Sequence, residues 1–339
     1  MIAKQGVWIS TWVGLVLAIG LFLIYHRLYQ FYPKLPLTQY VQEIVGPVAG
    51  RIIAFLYVIY FLFIAVFVIR DFGELVTTFS YSATPLTVIV LLMLVAVMYT
   101  IGKGVEILAR TGEIIFLFLT VIALVAYSLV LSSGTMNFHN LLPIFDEGVM
   151  PILEASYGAM VFPFGEILVF TMLFPYVDQP DKVKPTVIRA MIVSSVIISL
   201  TMVLDILVLG VDLYTRAQYP LLTMVQMIEG AGLLQRMDAL YMIIAILCGF
   251  FRAAVLCYAA LLGASTLFAV KDYRNLLVPI SVVILFSSLA IASNYSELIF
   301  TVTKVFHYAA QIPMQIIIPS CLLFIAYYKH RKKESNREE

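Results

Sequence analysis

Phe162-Pro163-Phe164-Gly165-Glu166 interrupts a long apolar run near the middle of the chain, and the reading of these five residues decides the fold. Proline removes a backbone donor and clashes with the preceding turn, and glycine weakens the same stretch. In hydrocarbon, backbone freed from its helix is tolerated only inside protein or beside a watery cavity. A carboxylate at that depth is costly unless protonated or paired, and it marks a pathway or a binding site by default. The expectation is a helix broken at Pro163 and Gly165, with a solute-binding pocket beside it at mid-membrane.

The rest of the chain fits a membrane setting. Of its 339 residues 62% are hydrophobic and only 12% charged, with a mean hydropathy of +1.01. A soluble domain carries about a quarter charged residues, so the composition describes a polytopic membrane protein. A net charge of +1 without a basic block or acidic tail argues against a nucleic-acid partner. Cys248, Cys257 and Cys321 all fall in apolar runs and are expected to be packed there; they fit neither a disulfide framework nor zinc spacing. His26, His139, His307 and His330 are scattered, so no metal site is expected. The chain has no phosphate-binding loop, no His-Glu-x-x-His and no Gly-x-Ser-x-Gly, and neither an enzyme nor a cofactor is indicated.

Nine apolar segments are long enough to cross a bilayer: 7–25, 52–69, 85–101, 113–131, 152–176, 187–209, 238–268, 276–292 and 306–328. They are continuously apolar rather than alternating, so they predict helices, not strands. The first is not a cleaved signal, because His26-Arg27-Leu28-Tyr29 follows it in place of a small-x-small site. Residues 1–328 form a single transmembrane domain on this reading, and 329–339 a basic cytoplasmic tail. Lysine and arginine set the orientation: fifteen lie in one alternating set of loops and tails, including Arg27, Lys184 and Lys329. Five lie in the other, at Lys4, Arg70, Arg216, Arg236 and Lys304. The richer side is cytoplasmic. Residues 38–45 predict an amphipathic surface helix on that side, and 220–228 an outer interfacial helix or a lid over a vestibule.

Charges within the spans are few. Glu166 and Arg252 lie near the midpoints of their segments, so an ion pair is geometrically possible, as is separate contact with water or solute. Each unpaired charge there costs about 3 kcal/mol on insertion scales. Arginine keeps its proton, making Arg252 a fixed cation. Asp205, one turn from an outer span end, is expected to reach the interface. Arg70 and Glu74 share a helical face as an i,i+4 pair. Tyr60 and Tyr258 lie deeper than interfacial tyrosines, so their hydroxyls need partners.

The run from Val161 through Phe162-Pro163-Phe164-Gly165-Glu166 to Tyr176 resembles the spore germination receptor B subunits. So do Leu56–Phe63 with Arg70-Asp71-Phe72-Gly73-Glu74, then Asn140–Ile144, Arg236–Tyr241 and Lys271-Asp272-Tyr273-Arg274, in the family's order along the chain. That family looks like a branch of the amino acid–polyamine–organocation transporters. The resemblance implies an all-α polytopic protein, a transporter-like helix bundle of ten spans in two inverted repeats with broken first and sixth helices. It further implies a pocket drawing on Tyr60, Ile64, Phe162, Gly165, Glu166, Arg252 and Ala253.

Two departures from the family pattern stand out. The family usually has lysine at the position of Arg252. Met1–Trp8 resembles the loop after the family's first helix, so this chain is expected to lack that helix, through a misplaced start codon or a true truncation. The implied function is nutrient sensing: an amino acid-like germinant binds mid-membrane in a receptor with A and C subunits, in the spore inner membrane. A secondary amino acid transporter coupled to protons or another ion, and a solute-releasing pore, remain open alternatives.

Overall fold

The computed structural model describes residues 3–143, 145, 148–230 and 237–338. Ile144 of the Asn140–Ile144 motif and Arg236 of the outer cations lie outside the described residues. The secondary structure among the described residues is entirely helical. Eight helical segments there have the length and apolarity to cross a membrane, and a ninth apolar helix, Leu86–Gly102, has 17 residues. These match the nine segments expected from sequence one for one.

The helices are α1 (Val7–Phe31), α2 (Leu37–Val45), α3 (Pro47–Phe79), α4 (Leu86–Gly102), α5 (Val105–Ser132), α6 (Met150–Val161), α7 (Val183–Arg216), α8 (Pro220–Gly230), α9 (Met237–Leu267), α10 (Leu277–Ala290), α11 (Tyr295–Phe300) and α12 (Ile318–Glu338). A 3-10 helix, Phe164–Met172, follows α6, and π-helical turns at Thr301–Gln311 and Pro313–Ile317 join α11 to α12. Long spans form because each helix satisfies its own backbone, which lipid requires.

The chain divides into two compact units. The larger comprises residues 21–110, 166–184 and 248–339. Its centre is α3, packed on α2, α4 and α10. Tyr57, Phe61 and Ile69 of α3 are fully buried there with Val97 and Ile101 of α4. The short helix α2 is amphipathic, as expected, and buries Leu37, Thr38, Tyr40, Val41 and Ile44. Arg70 does pair with Glu74, at 2.7 Å. It also donates to the carbonyls of Ser288 and Leu289 at the end of α10, at 3.1 and 3.2 Å. The guanidinium thereby closes carbonyls that the helix end leaves open.

The smaller unit comprises residues 1–20, 111–165 and 185–247. Its core joins α5, α7 and α8 through Val130, Leu204, Ile206, Tyr214, Met224 and Ile228. The helix expected at 220–228 is present and buries one face, with Met224, Val225 and Ile228, in its own unit. Near its end α7 is interrupted at Gly210, whose φ of 71° and ψ of 164° are non-helical. The Leu207 carbonyl then lacks its usual donor four residues on. It accepts instead from the Asn137 N–H at 2.9 Å and from Asn140 Nδ2 at 3.1 Å. A Cβ on Gly210 would meet nothing closer than Asn140 at 3.7 Å. The penalty of Gly210→Ala is thus conformational, about 1–3 kcal/mol. Thermal unfolding in detergent should show a fall of roughly 2–6 °C; an unchanged Tm would mean that the bend is not held in this conformation.

The structure corrects two expectations on burial. Cys257 is packed inside, but Cys248 and Cys321 are exposed. Apolar residues on a spanning helix need no protein cover, since lipid serves equally well. Asp205, expected at an interface, is only 4% exposed.

Candidate functional site

The break read from sequence is present. Helix α6 ends at Val161, and the Phe162 N–H closes the last regular turn on the Gly158 carbonyl at 2.9 Å. Phe162 is extended (φ −138°, ψ 121°), as residues before proline tend to be. The Phe162–Pro163 peptide is cis. The chain resumes as the 3-10 helix Phe164–Met172, with Glu166 in its first turn. The passage from the smaller unit to the larger falls between Gly165 and Glu166.

Glu166 meets Arg252 of α9 in a two-pronged ion pair. Nε donates to Oε2 at 3.0 Å and Nη2 to Oε1 at 2.6 Å. The side chains are 14% and 31% exposed, respectively. This fork geometry is specific to arginine; a lysine would be a point charge without it. Of the two arrangements left open by sequence, the mutual pair is the one observed.

Tyr60 of α3 lies within electrostatic reach of both charges. Its hydroxyl accepts a hydrogen bond from Gln315 Nε2 at 2.8 Å. Its ring stacks on Phe306 at 5.6 Å, and Phe306 stacks in turn on Phe63 at 4.2 Å. Ile64 and Ala253 are buried in the core of the same unit. Phe162, about half exposed, and Gly165, buried, belong to the other unit.

Sequence reasoning missed Gln315. It is fully buried, and its Oε1 has no hydrogen-bond partner. A buried amide acceptor left open costs about 1–3 kcal/mol. Its backbone is held firmly. Pro313 has no N–H to give, and the π-helical turns around it displace carbonyls from their usual donors. Tyr57 donates to the Met314 carbonyl at 2.9 Å and Tyr25 to the Gln315 carbonyl at 2.6 Å. One turn earlier, Gln311 pairs with His307 Nδ1 at 3.1 Å. The readable signal was there: Gln311 and Gln315 lie four apart around a proline inside an apolar run.

A second polar position lies in the smaller unit. Asp205 leaves Oδ1 without a partner, with Tyr127 and Tyr214 in electrostatic reach. Tyr127 shares a hydrogen bond with Thr201 at 2.7 Å. Among the described residues no group of three or more His, Cys, Asp or Glu is placed to hold a metal ion.

The chain's sequence places this architecture among known proteins. Residues 1–296 match the family model described as spore germination protein. Spore germination protein KB of Bacillus subtilis (strain 168) is 35% identical over 338 residues, covering 99% of this chain and 91% of that protein. Spore germination protein YndE of the same organism is 32% identical over 267 residues, 78% of this chain and 72% of its own length. Spore germination protein B2, also from that organism, is 26% identical over 196 residues, 56% and 52% of the two chains. The match to the family model and to the KB protein both span far more than half the sequence: the chain belongs to the spore germination protein family, as an integral membrane protein of the receptor B-subunit type.

Proposed function

We propose that this protein senses a small nutrient germinant, an amino acid or close analogue, beside the broken helix, and passes the signal to A and C subunits in the spore inner membrane. The reading is carried by the Glu166–Arg252 fork, with Tyr60 in its electrostatic reach and Tyr60 in turn bonded to Gln315, whose amide oxygen is open. An amino acid brings one carboxylate and one ammonium group. The carboxylate suits the arginine fork, and the ammonium suits Glu166 and the Gln315 acceptor. Each protein charge exchanges its partner for a solute charge of the same sign, so neither is left bare at a depth where that is costly. Opening the pair to admit solute is also a change of arrangement. Binding shifts such an equilibrium by no more than the difference in affinity between the two states.

The experiment is direct binding of L-alanine and a panel of small amino acids to the receptor complex containing the full-length chain. Saturable binding by the native complex and its loss in Gly165→Leu, with the variant's Tm and assembly unchanged, is the expected result. Equal affinity in the variant would remove this site from consideration. Uptake into liposomes separates sensing from transport: accumulation driven by a pH gradient would assign the same site to a transporter.

A further inference from the structure

A groove of about 450 Å³ opens on the larger unit between α1, the start of α7 and α12. Leu23, Ile24 and Leu323 form its apolar wall, and Arg27 and Lys184, with the buried imidazole of His26, its polar one. Arg27 lies one helical turn beyond Leu23, about 6 Å along α1, toward the end that the loop charges place in the cytoplasm. The two walls are thus an apolar track and, just past the apolar segment 7–25, a cationic rim.

The cations are held ready and are not spent on carboxylates. Arg27 donates from Nη1 to Gln30 Oε1 at 3.0 Å, and its guanidinium lies over the Phe31 ring at 5.0 Å from the centroid. His330 of α12 stacks on that same ring at 4.5 Å. His26 lies within electrostatic reach of both Arg27 and Lys184. Lys329 is engaged with the Glu43 carbonyl at 3.3 Å. Two acids, Asp181 and Glu43, lie on neighbouring elements. Neither forms an ion pair with Arg27 or Lys184 among the described residues. Both cations are exposed on the groove rim.

We propose that this groove binds one anionic phospholipid of the cytoplasmic leaflet, its phosphate between Arg27 and Lys184 and one acyl chain along Leu23, Ile24 and Leu323. Charge complementarity selects the occupant. That leaflet is negatively charged, and basic pockets between helices at its depth favour anionic headgroups. A zwitterionic lipid fills the apolar track equally well but returns no net charge to the rim. The bound lipid would clasp α1 to α12 close to where Tyr25 already ties α1 to the Gln315 carbonyl. The proposal stands independently of the germinant reading.

The test is lipid binding to the full-length chain purified in detergent, followed by native mass spectrometry and by thermal shift. Phosphatidylglycerol is compared with phosphatidylcholine of the same acyl length and with soluble glycerol phosphate. Phosphatidylglycerol should bind at least tenfold tighter than phosphatidylcholine, and glycerol phosphate should not displace it at equal concentration. The double variant Arg27→Gln/Lys184→Gln should lose roughly 25-fold in affinity for phosphatidylglycerol, and Lys184→Gln alone roughly fivefold, as expected for two surface cations near a membrane. Binding of phosphatidylcholine and the Tm in that lipid should stay unchanged in both. A control, Lys271→Gln/Arg274→Gln, removes equal charge elsewhere on the same side and should bind like the native chain. Equal binding of the two lipids, or undiminished phosphatidylglycerol binding by Lys184→Gln and the double variant, would overturn the proposal. Displacement by glycerol phosphate would also overturn it, by making the groove a site for free phosphate.

Discussion

Arg252→Gln should weaken amino acid binding at least a hundredfold and lower the stability of the chain at the same time. A hydrogen bond to a charged group contributes about 1.5–3 kcal/mol, and the variant removes two to the solute carboxylate. A loss of about 2.7 kcal/mol already corresponds to a hundredfold. Without solute, the variant strands Glu166 with its 2.6 Å partner gone. Breaking a buried pair in this way costs about 3–5 kcal/mol; the 31% exposure of the arginine places the expected loss near the lower end. The double variant Glu166→Gln/Arg252→Gln leaves no charge behind, so its Tm should recover most of the way while binding stays lost. Arg252→Lys keeps the charge but not the fork and should fall between. Titration calorimetry on the complex gives the affinities, and thermal unfolding gives the stabilities. If Arg252→Gln binds within twofold of the native chain, solute does not use this pair.

The break at Phe162–Glu166 was legible because its causes are local. Proline deprives its own turn of a donor and pushes the preceding residue out of helix, whatever surrounds it. The spans were legible for a similar reason, since lipid demands continuous apolar helix. The start of the last span was not. Lys304 and Glu297 delayed the apolar reading to residue 306, whereas the helix begins at Tyr295. The signal lay in Asn294-Tyr-Ser-Glu297. Asn294 Oδ1 accepts from the Glu297 N–H at 2.9 Å, and Glu297 Oε2 accepts from the Ser293 N–H at 2.7 Å. That is a reciprocal cap, visible as a spacing but invisible to a hydropathy average.

Within the candidate site, Glu166, Arg252 and Tyr60 were found because charge and hydroxyl are costly at mid-membrane. Their pairing was left open because depth is readable from a sequence and azimuth around a helix is not. Gln315 escaped for a different reason. Neutral amides cost less than charges in hydrocarbon, so a single one reads as helix packing. Its significance comes from Tyr60, 255 residues away in sequence. Asp205 was misjudged likewise: α7 runs on past the expected end at residue 209 to Arg216, and Asp205 is only 4% exposed.

Gly14→Leu should be the most damaging single change in the smaller unit. A Cβ there would stand 2.7 Å from Ala159 Cβ and 2.9 Å from the Ser156 carbonyl oxygen. The second of these is backbone of α6 and cannot swing aside. Small residues on both helices, Gly14 against Ser156 and Ala159, permit this close crossing, the usual device where lipid gives no hydrophobic drive to association. The rest of α1 is pinned nearby. Trp12 donates to Ser199 Oγ at 3.1 Å, and Ser199 donates to the Trp8 carbonyl at 3.3 Å. α1 therefore cannot slide to relieve the overlap without breaking these bonds to α7. Overpacking of this kind costs about 1–3 kcal/mol and more when backbone must move, so Gly14→Leu should lower the Tm by about 6 °C or more. Gly14→Ala should show a smaller fall. Gly20 supplies the control on the same helix, because a Cβ there meets nothing within 4 Å; Gly20→Leu should change stability by less than about 0.5 kcal/mol. The crossing also bears on function. Ala159 is three residues before Phe162, so displacing α6 moves the point from which the chain leaves its helix. Solute affinity should fall in Gly14→Leu while Gly20→Leu binds normally. Normal binding in a folded Gly14→Leu chain would show that the broken segment is positioned without α1.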